Sequence, residues 1–427
     1  MASTPVEEEA PMDGENRRLA AVARWLMGLA GRTGLRWLVL GGLVGLLVAA
    51  LLLPPISLLT RIGVVGYERL SADKVSVAHP DGIKLQVDPD AFEGRLRVRA
   101  GSVPRLEFLE GSAGRKLREA ALALPDHLVV KSPYYTIDAR GELSNPVMVD
   151  VVLPNNAEPW ETIDLYTWDG EQWTWIGSDL HTEVAEHEFI RATVTELPSS
   201  VVVVQSSPKA PMVSTTLDAD DGLSQVHLFD GVHPTGLLLG TMGGFAGDPA
   251  SLEVPAEDTG CAVYPTLRNW APRGSVNQGL LVDLLSDGEL QRAHIDAVLQ
   301  MCVDHGFDGV DLDYRGVGPE HREAFTTFVQ AMGEALHEAG LWLGVTVERP
   351  TPEDGGWDSG GYDLAALGVT ADTVRVPFPE DAEAYAEGGM AVRLINWVTA
   401  QVSRYKLTMM VSSLSAADEG TEEYNYL

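Results

Sequence analysis

Two cysteines, Cys261 and Cys302, are all that a chain of 427 residues contains. That excludes a disulfide-stapled scaffold and a four-thiolate zinc site. It leaves open either one bridge in an oxidising compartment or two buried free thiols. Basic residues are scarce as well, with 30 Lys and Arg against 62 Asp and Glu and a formal charge of −32. So acidic a surface repels phosphate backbones, which argues against nucleic acid as a partner. Neither a nucleotide-binding glycine loop nor a serine elbow occurs, and nothing calls for a cofactor. The chain does have 45% hydrophobic residues, 43 Gly and 25 Pro. That composition suits a loop-rich globular protein of two or three domains.

Charge is missing altogether from one stretch, residues 37–59, "WLVLGGLVGLLVAALLLPPISLL". At ~1.5 Å per residue this length crosses a ~30 Å hydrocarbon layer, so it is expected to be a transmembrane helix. Pro54 and Pro55 fall near its far end, where a break is tolerated. A core helix would be shorter and amphipathic, and no small-residue cleavage site follows to suggest a signal peptide. Arg17, Arg18, Arg24, Arg32 and Arg36 all precede the span. The positive-inside rule then makes residues 1–36 a cytoplasmic tail and places everything beyond the span outside the cell membrane.

Residues 72–206 read as short strands with turn chemistry between them, the pattern of a β-sandwich. "KVSVAHPDGIKLQV" (74–87) is a hairpin around Pro-Asp-Gly, and Asp169-Gly170 is a second turn signal. Only 112–123 reads as helix. Trp173 and Trp175 share a strand face near Trp168, either as a stacking platform for sugar rings or as core. The large share of core packing that aromatics supply favours core. A Ser-, Pro- and Thr-rich linker is expected over 207–223.

From residue 224 to 427 strands alternate with helices, which implies a parallel sheet covered on both faces, as a (β/α) barrel or a doubly wound sheet. Strands are expected at 260–270, 307–314, 341–348, 372–378 and 406–414. Helices are expected over 280–306, broken near Ser286-Asp287-Gly288, and over 319–339. The apolar stripe of the second is Phe325, Phe328, Val329, Met332 and Leu336.

"FDGVDLDYRG" (307–316) gathers Asp308, Asp311 and Asp313 on or beside one strand, with Asp311 and Asp313 on the same face. Carboxylates facing a barrel interior are costly unless solvated or hydrogen-bonded, which marks them as candidate site residues. A calcium loop fails at its third ligand position, where Arg315 stands. "DGVDLDYRG" resembles the fourth-strand signature of family 18 glycoside hydrolases, D-x-x-D-x-D-x-E, and "YPTLRN" and "LWLGVTVERP" resemble the third and fifth strands. The resemblance spans roughly 224–415, and its flavour is that of bacterial cell-surface and spore-envelope members. It implies an α/β fold of (β/α)8 (TIM) type.

In that family the last glutamate protonates the glycosidic oxygen and the aspartate before it orients the substrate's N-acetyl group. By resemblance Asp313 is the orienting aspartate, with Asp308 and Asp311 supporting it. Arg315 takes the acid's place and cannot cycle a proton. A cation there is also expected to lower the Asp313 pKa.

The family's Met-x-Tyr-Asp segment is replaced by "VRVPFPED" (374–381). The chain reaches Leu427 soon after its seventh strand, so the barrel is expected to be incomplete or the sequence a fragment. Glu348 is a candidate relocated acid. Arg315 is either a structural ion pair or a clamp for an anionic or acetylated sugar. Trp270, Trp357 and Tyr362 lie in loops that could stack on sugar, though each residue type is more often ordinary packing.

Three functions follow as alternatives. The chain is a membrane-anchored receptor for a chitin-like or peptidoglycan-type glycan, an active glycosidase of altered mechanism, or a scaffold.

Overall fold

The computed structural model describes residues 40–45 and 66–411, with breaks at 93–95, 113, 142, 144, 183–187, 219–227, 254–259, 272–273 and 354–355, and the pairs 414–415 and 424–425. The chain divides into two units, Met1–Tyr67 and Glu68–Leu427. Of the expected membrane span only 40–45 is described, as helix with Leu40, Leu43 and Val44 exposed. The rest of 37–59 lies outside the described residues. Among the described residues no helix is long and apolar enough to cross a membrane.

The larger unit begins with two antiparallel sheets. One orders Glu68–Leu70, Leu96–Val103, Tyr134–Arg140, Ser200–Ser206, Ile163–Trp168 and Trp173–Gly177, with Leu128–Val130 also on Ser200–Ser206. The other orders Asp179–His181, Phe189–Val194, Val147–Val152, Ile83–Val87 and Ser76–Ala78. Alternation decides which faces meet. In Val147–Val152 the side chains of Val147, Val149 and Val151 are fully buried, and with Ile83, Leu85, Val201 and Val203 they form one core fed by both sheets. The unbroken run of valines at 201–204 has a reason of its own. Val202 and Val204 point the other way, into a second cluster with Phe108, Tyr134 and Trp168 beneath the helices Arg105–Leu109 and Arg115–Leu122. Trp173 joins that cluster, its Nε1 donating to the Ala120 carbonyl at 2.8 Å, and Trp175 Nε1 donates to Asp164 at 3.2 Å.

Among the described residues, seven strands form the main parallel run: β1 (Ser214–Leu217), β2 (Gly231–Leu239), β3 (Thr266–Arg268), β4 (Gly309–Asp313), β5 (Trp342–Thr346), β6 (Thr373–Pro377) and β7 (Leu407–Met410), while Ala262–Val263 also pairs parallel with β2 and Phe245–Ala246 antiparallel to it. The seven are hydrogen-bonded in that order. β1 falls inside 207–223, so that stretch is more than a linker. Four residues of "STTL" are too short for sequence periodicity to register, yet they pair in parallel with β2 from Ser214 opposite Gly231 to Leu217 opposite Pro234.

The helices α1 (Gln278–Ser286), α2 (Gly288–His305), α3 (Arg322–Glu338), α4 (Leu364–Thr370) and α5 (Met390–Thr399) intervene. α1 and α2 break where expected, because the Asp287 side chain accepts from the backbone N–H groups of Glu289 and Leu290 and starts the second helix. Gly306, with φ of 68°, ends it. The five stripe residues of α3 are fully buried against the sheet. Cys261 and Cys302 are both buried, with no disulfide between them, and burial pushes the Cys302 thiol up to about 12. The sheet is curled enough that Arg375 on β6 donates to the Thr216 hydroxyl of β1 at 3.2 Å across its concave side.

Candidate functional site

Strand register brings the charged residues of "TLRN" and "DLDYR" side by side, since Thr266 pairs with Asp311 and Arg268 with Asp313. Asp311 is fully buried mid-strand. Its carboxylate accepts from the Thr346 hydroxyl at 2.9 and 3.2 Å and from Arg375 Nη1 at 2.6 Å. Gly344 on β5 makes the room, because a Cβ there would sit 2.8 Å from Asp311 Oδ1 and 2.7 Å from the Trp342 ring.

Asp313, at the C-terminal end of β4, receives Arg315 Nε at 3.0 Å on Oδ1 and Arg315 Nη2 at 3.4 Å on Oδ2, and Arg268 Nε lies 3.5 Å from Oδ2. Both guanidinium groups cover one indole, with Arg315 3.5 Å and Arg268 4.5 Å from the Trp270 ring centre. Asn269 fixes the turn by accepting the Arg315 N–H and donating to its carbonyl, each at 2.8 Å. Asp313, Arg315 and Trp270 therefore form one cluster, and Asp311 sits behind it.

Burial pushes the Asp313 carboxyl above the ordinary aspartate range, against the downward pull of Arg315 and then of Arg268. The expectation of a lowered value is thus corrected. The arginine acts in the expected direction, but desolvation of a carboxyl only 4% exposed outweighs it. Burial also depresses Arg268 and brings His233 on β2 down to about 4, the latter aided by Arg375.

Other expected site residues lie elsewhere. Asp308 precedes β4 at its N-terminal end, where its Oδ2 accepts the Val263 N–H at 2.8 Å. Five residues of strand, roughly 16 Å, separate it from Asp313, so the three aspartates do not converge. Tyr362 is 1% exposed, with its hydroxyl donating to the Tyr314 carbonyl at 2.8 Å, and its ring offers no stacking face. Trp357 is half-buried and packs 6.5 Å from Trp397 of α5, on the convex side of the sheet. Glu348 is exposed just beyond β5, its Oε2 accepting the Gly316 N–H at 2.9 Å and lying 3.1 Å from the Tyr362 hydroxyl oxygen. Pro377 closes β6 and Phe378 follows it, 1% exposed, its N–H donating to the Met410 carbonyl at 2.9 Å.

Sequence reasoning missed Arg268, Arg375, Thr346 and His233, all buried on the concave side. A lone arginine within an otherwise apolar strand, as in "TVRVP" and "YPTLRN", was the available signal. Among the described residues, the buried side-chain atoms without a hydrogen bond are His233 Nδ1, Thr266 Oγ1, Arg268 Nε, Trp270 Nε1 and Arg375 Nε. All belong to β2, β3 and β6 or the turn after β3. The concave side therefore offers hydrogen-bonding capacity that the protein itself does not use. No group of three or more metal-ligating side chains occurs among the described residues.

A parallel α/β sheet with carboxylates and arginines at the C-terminal end of its fourth strand is the setting into which the comparisons fall. Residues 274–382 match the model of glycosyl hydrolases family 18. Of curated proteins, YvbX of Bacillus subtilis, an uncharacterized glycosylase, is 25% identical over 154 residues, which span 34% of this chain and 44% of that protein. The chain thus spans under half the length of this relative. Among solved structures, a chitinase from Chromobacterium violaceum is 19% identical with a TM-score of 0.40, over 47% of this chain and 69% of that one. The spore cortex-lytic enzyme of Bacillus megaterium is 14% identical with a TM-score of 0.42, over 55% and 60%.

Proposed function

We propose that the parallel-sheet domain binds an N-acetylhexosamine-containing or envelope glycan at the C-terminal end of β3–β5 without efficient hydrolysis. The observation that carries this reading is the Arg315–Asp313 pair. Where the resemblance places a proton-donating glutamate there is a permanently charged guanidinium, bound to the aspartate beside it. Loss of general acid catalysis alone typically costs ~10²–10⁴-fold. Support for a glycan comes from the family match over 274–382 and the glycosylase relative. The half-exposed Arg315 and the exposed Glu348 supply donors and acceptors suited to hydroxyl and amide groups. The charge-free stretch 37–59, with five arginines over residues 17–36 against Arg61 and Arg69 in the ten residues after it, supports a single-pass anchor holding this domain outside the cell membrane. The test is titration of the purified chain with N-acetylglucosamine oligomers. Saturable binding that weakens at least tenfold in Arg315→Ala is expected, and identical binding in the variant defeats the assignment of this site.

A second reading rests on Glu348, whose carboxylate lies against the Gly316 backbone next to Arg315. As a relocated acid it would give hydrolysis that Glu348→Gln removes.

A further inference from the structure

A groove of about 810 Å³ runs between the two-sheet module and helices α4 and α5, on the convex side of the parallel sheet and away from Asp313. Its volume falls in the range of small-ligand sites, and junctions between modules are where such sites concentrate. The two modules are fixed to each other beside it. Ser178 Oγ donates to the Thr399 carbonyl at 2.8 Å, and Arg404 on the barrel side binds the buried Asp164 carboxylate at 3.1 Å. The groove is therefore held open by bonded contacts on a rigid frame.

Two half-buried indoles line it, Trp175 from the two-sheet module and Trp397 from α5. Between them the wall is made of small or exposed apolar side chains, Ala365, Ala366 and Val369, the last 78% exposed. An aliphatic floor with aromatic sides accepts the C–H faces of a ring-shaped ligand. The rim is rich in acceptors. Asp179, Glu196 and Asp363 contribute carboxylates, and Thr193 and Gln401 add groups that both donate and accept.

Charge narrows the choice further. Among the described lining residues the one lysine or arginine is Arg191, and Asp150 holds it at 2.6 and 2.9 Å. An anionic ligand would meet carboxylates with no available cation. A cationic ligand would find two of the three carboxylates already engaged, Asp179 with His181 at 2.9 Å and Asp363 with the Ala366 N–H at 3.1 Å. An uncharged, hydroxyl-bearing ring fits both the aromatic walls and the acceptor rim.

We propose that this groove is a saccharide site independent of the mouth of the parallel sheet, accepting neutral oligosaccharides through Trp175, Trp397 and the rim carboxylates. It does not depend on the function assigned to Asp313 and Arg315.

The test titrates the purified full chain with N-acetylglucosamine tetramer and with cellotetraose, read by tryptophan fluorescence. Three variants are compared, Trp397→Ala, Ala365→Trp and Arg315→Ala. Ala365 is exposed on α4, so the bulky replacement fills the groove with no core residue disturbed, and it serves even where Trp397→Ala folds poorly. The expected result is two saccharide-binding steps in the parent chain, one that weakens at least tenfold in Ala365→Trp and Trp397→Ala and another, at the mouth of the parallel sheet, that weakens in Arg315→Ala. Binding of both sugars unchanged in Ala365→Trp overturns the proposal. So does loss of all binding in Arg315→Ala, or a fluorescence response to tetramethylammonium but to neither sugar. Binding lost only in the groove variants removes the mouth from the function and leaves the groove standing.

Discussion

Replacing Arg375 by methionine removes the cation that faces Asp311 on the concave side of the sheet. The pair is sequestered, its side chains 5% and 0% exposed and its contact 2.6 Å, so Asp311 would be left charged and dry with only the Thr346 hydroxyl beside it. Breaking a buried ion pair by removing one partner costs ~3–5 kcal/mol. At ~2–4 °C per kcal/mol for a domain of this size, the melting temperature should fall by roughly 6–20 °C. The double variant Arg375→Met, Asp311→Leu removes both charges. It should recover most of that loss, short by ~1 kcal/mol because Thr346 then lacks its acceptor. Thermal unfolding followed by near-ultraviolet circular dichroism reads both. A single-variant cost below ~1 kcal/mol, or a double variant no better than the single, refutes the argument that a desolvated charge pair organises this interior.

Protonation should matter as well. His233 titrates at about 4 in the fold against 6.5 ordinarily, so the unfolded chain binds its proton first, and stability should rise by roughly 3 kcal/mol between pH 4 and pH 6.5. Urea unfolding across that range should show the slope, and His233→Gln should flatten it. Gly344→Ala forces a methyl to 2.7 Å from the Trp342 ring and 2.8 Å from Asp311, and chemical denaturation should report a loss of ~1–3 kcal/mol. Arg404→Ala leaves the fully buried Asp164 without the cation that ties the modules together. Calorimetry should then resolve two transitions, where the parent chain should give one.

The α/β order, the break between α1 and α2 and the buried stripe of α3 were legible because each rests on local chemistry, namely a capping aspartate, a glycine with positive φ and a 3.6-residue period. The hairpin at 74–87 was legible for the same reason, and Ser76–Ala78 pairs antiparallel with Ile83–Val87. β1 was not, since four residues carry too little pattern and owe their conformation to β2. Asp311 and Asp313 could be placed on one face from strand alternation. Asp308 could not be removed from the site without knowing where β4 starts. Arg375 and Arg268 were missed because their roles depend on neighbours 64 and 45 residues away in sequence. The Asp313 shift was misjudged because sequence reveals the arginine but not the depth of burial.

The most direct test of the central claim is prolonged incubation of the chain with N-acetylglucosamine oligomers and peptidoglycan fragments, with bound ligand and released product measured in the same sample. The account predicts saturable binding and no product above the level of an Asp313→Ala control, because the Arg315 guanidinium holds its protons too tightly to act as a general acid. Product release by the parent chain that disappears in Glu348→Gln contradicts it and makes this site a glycosidase with a relocated acid.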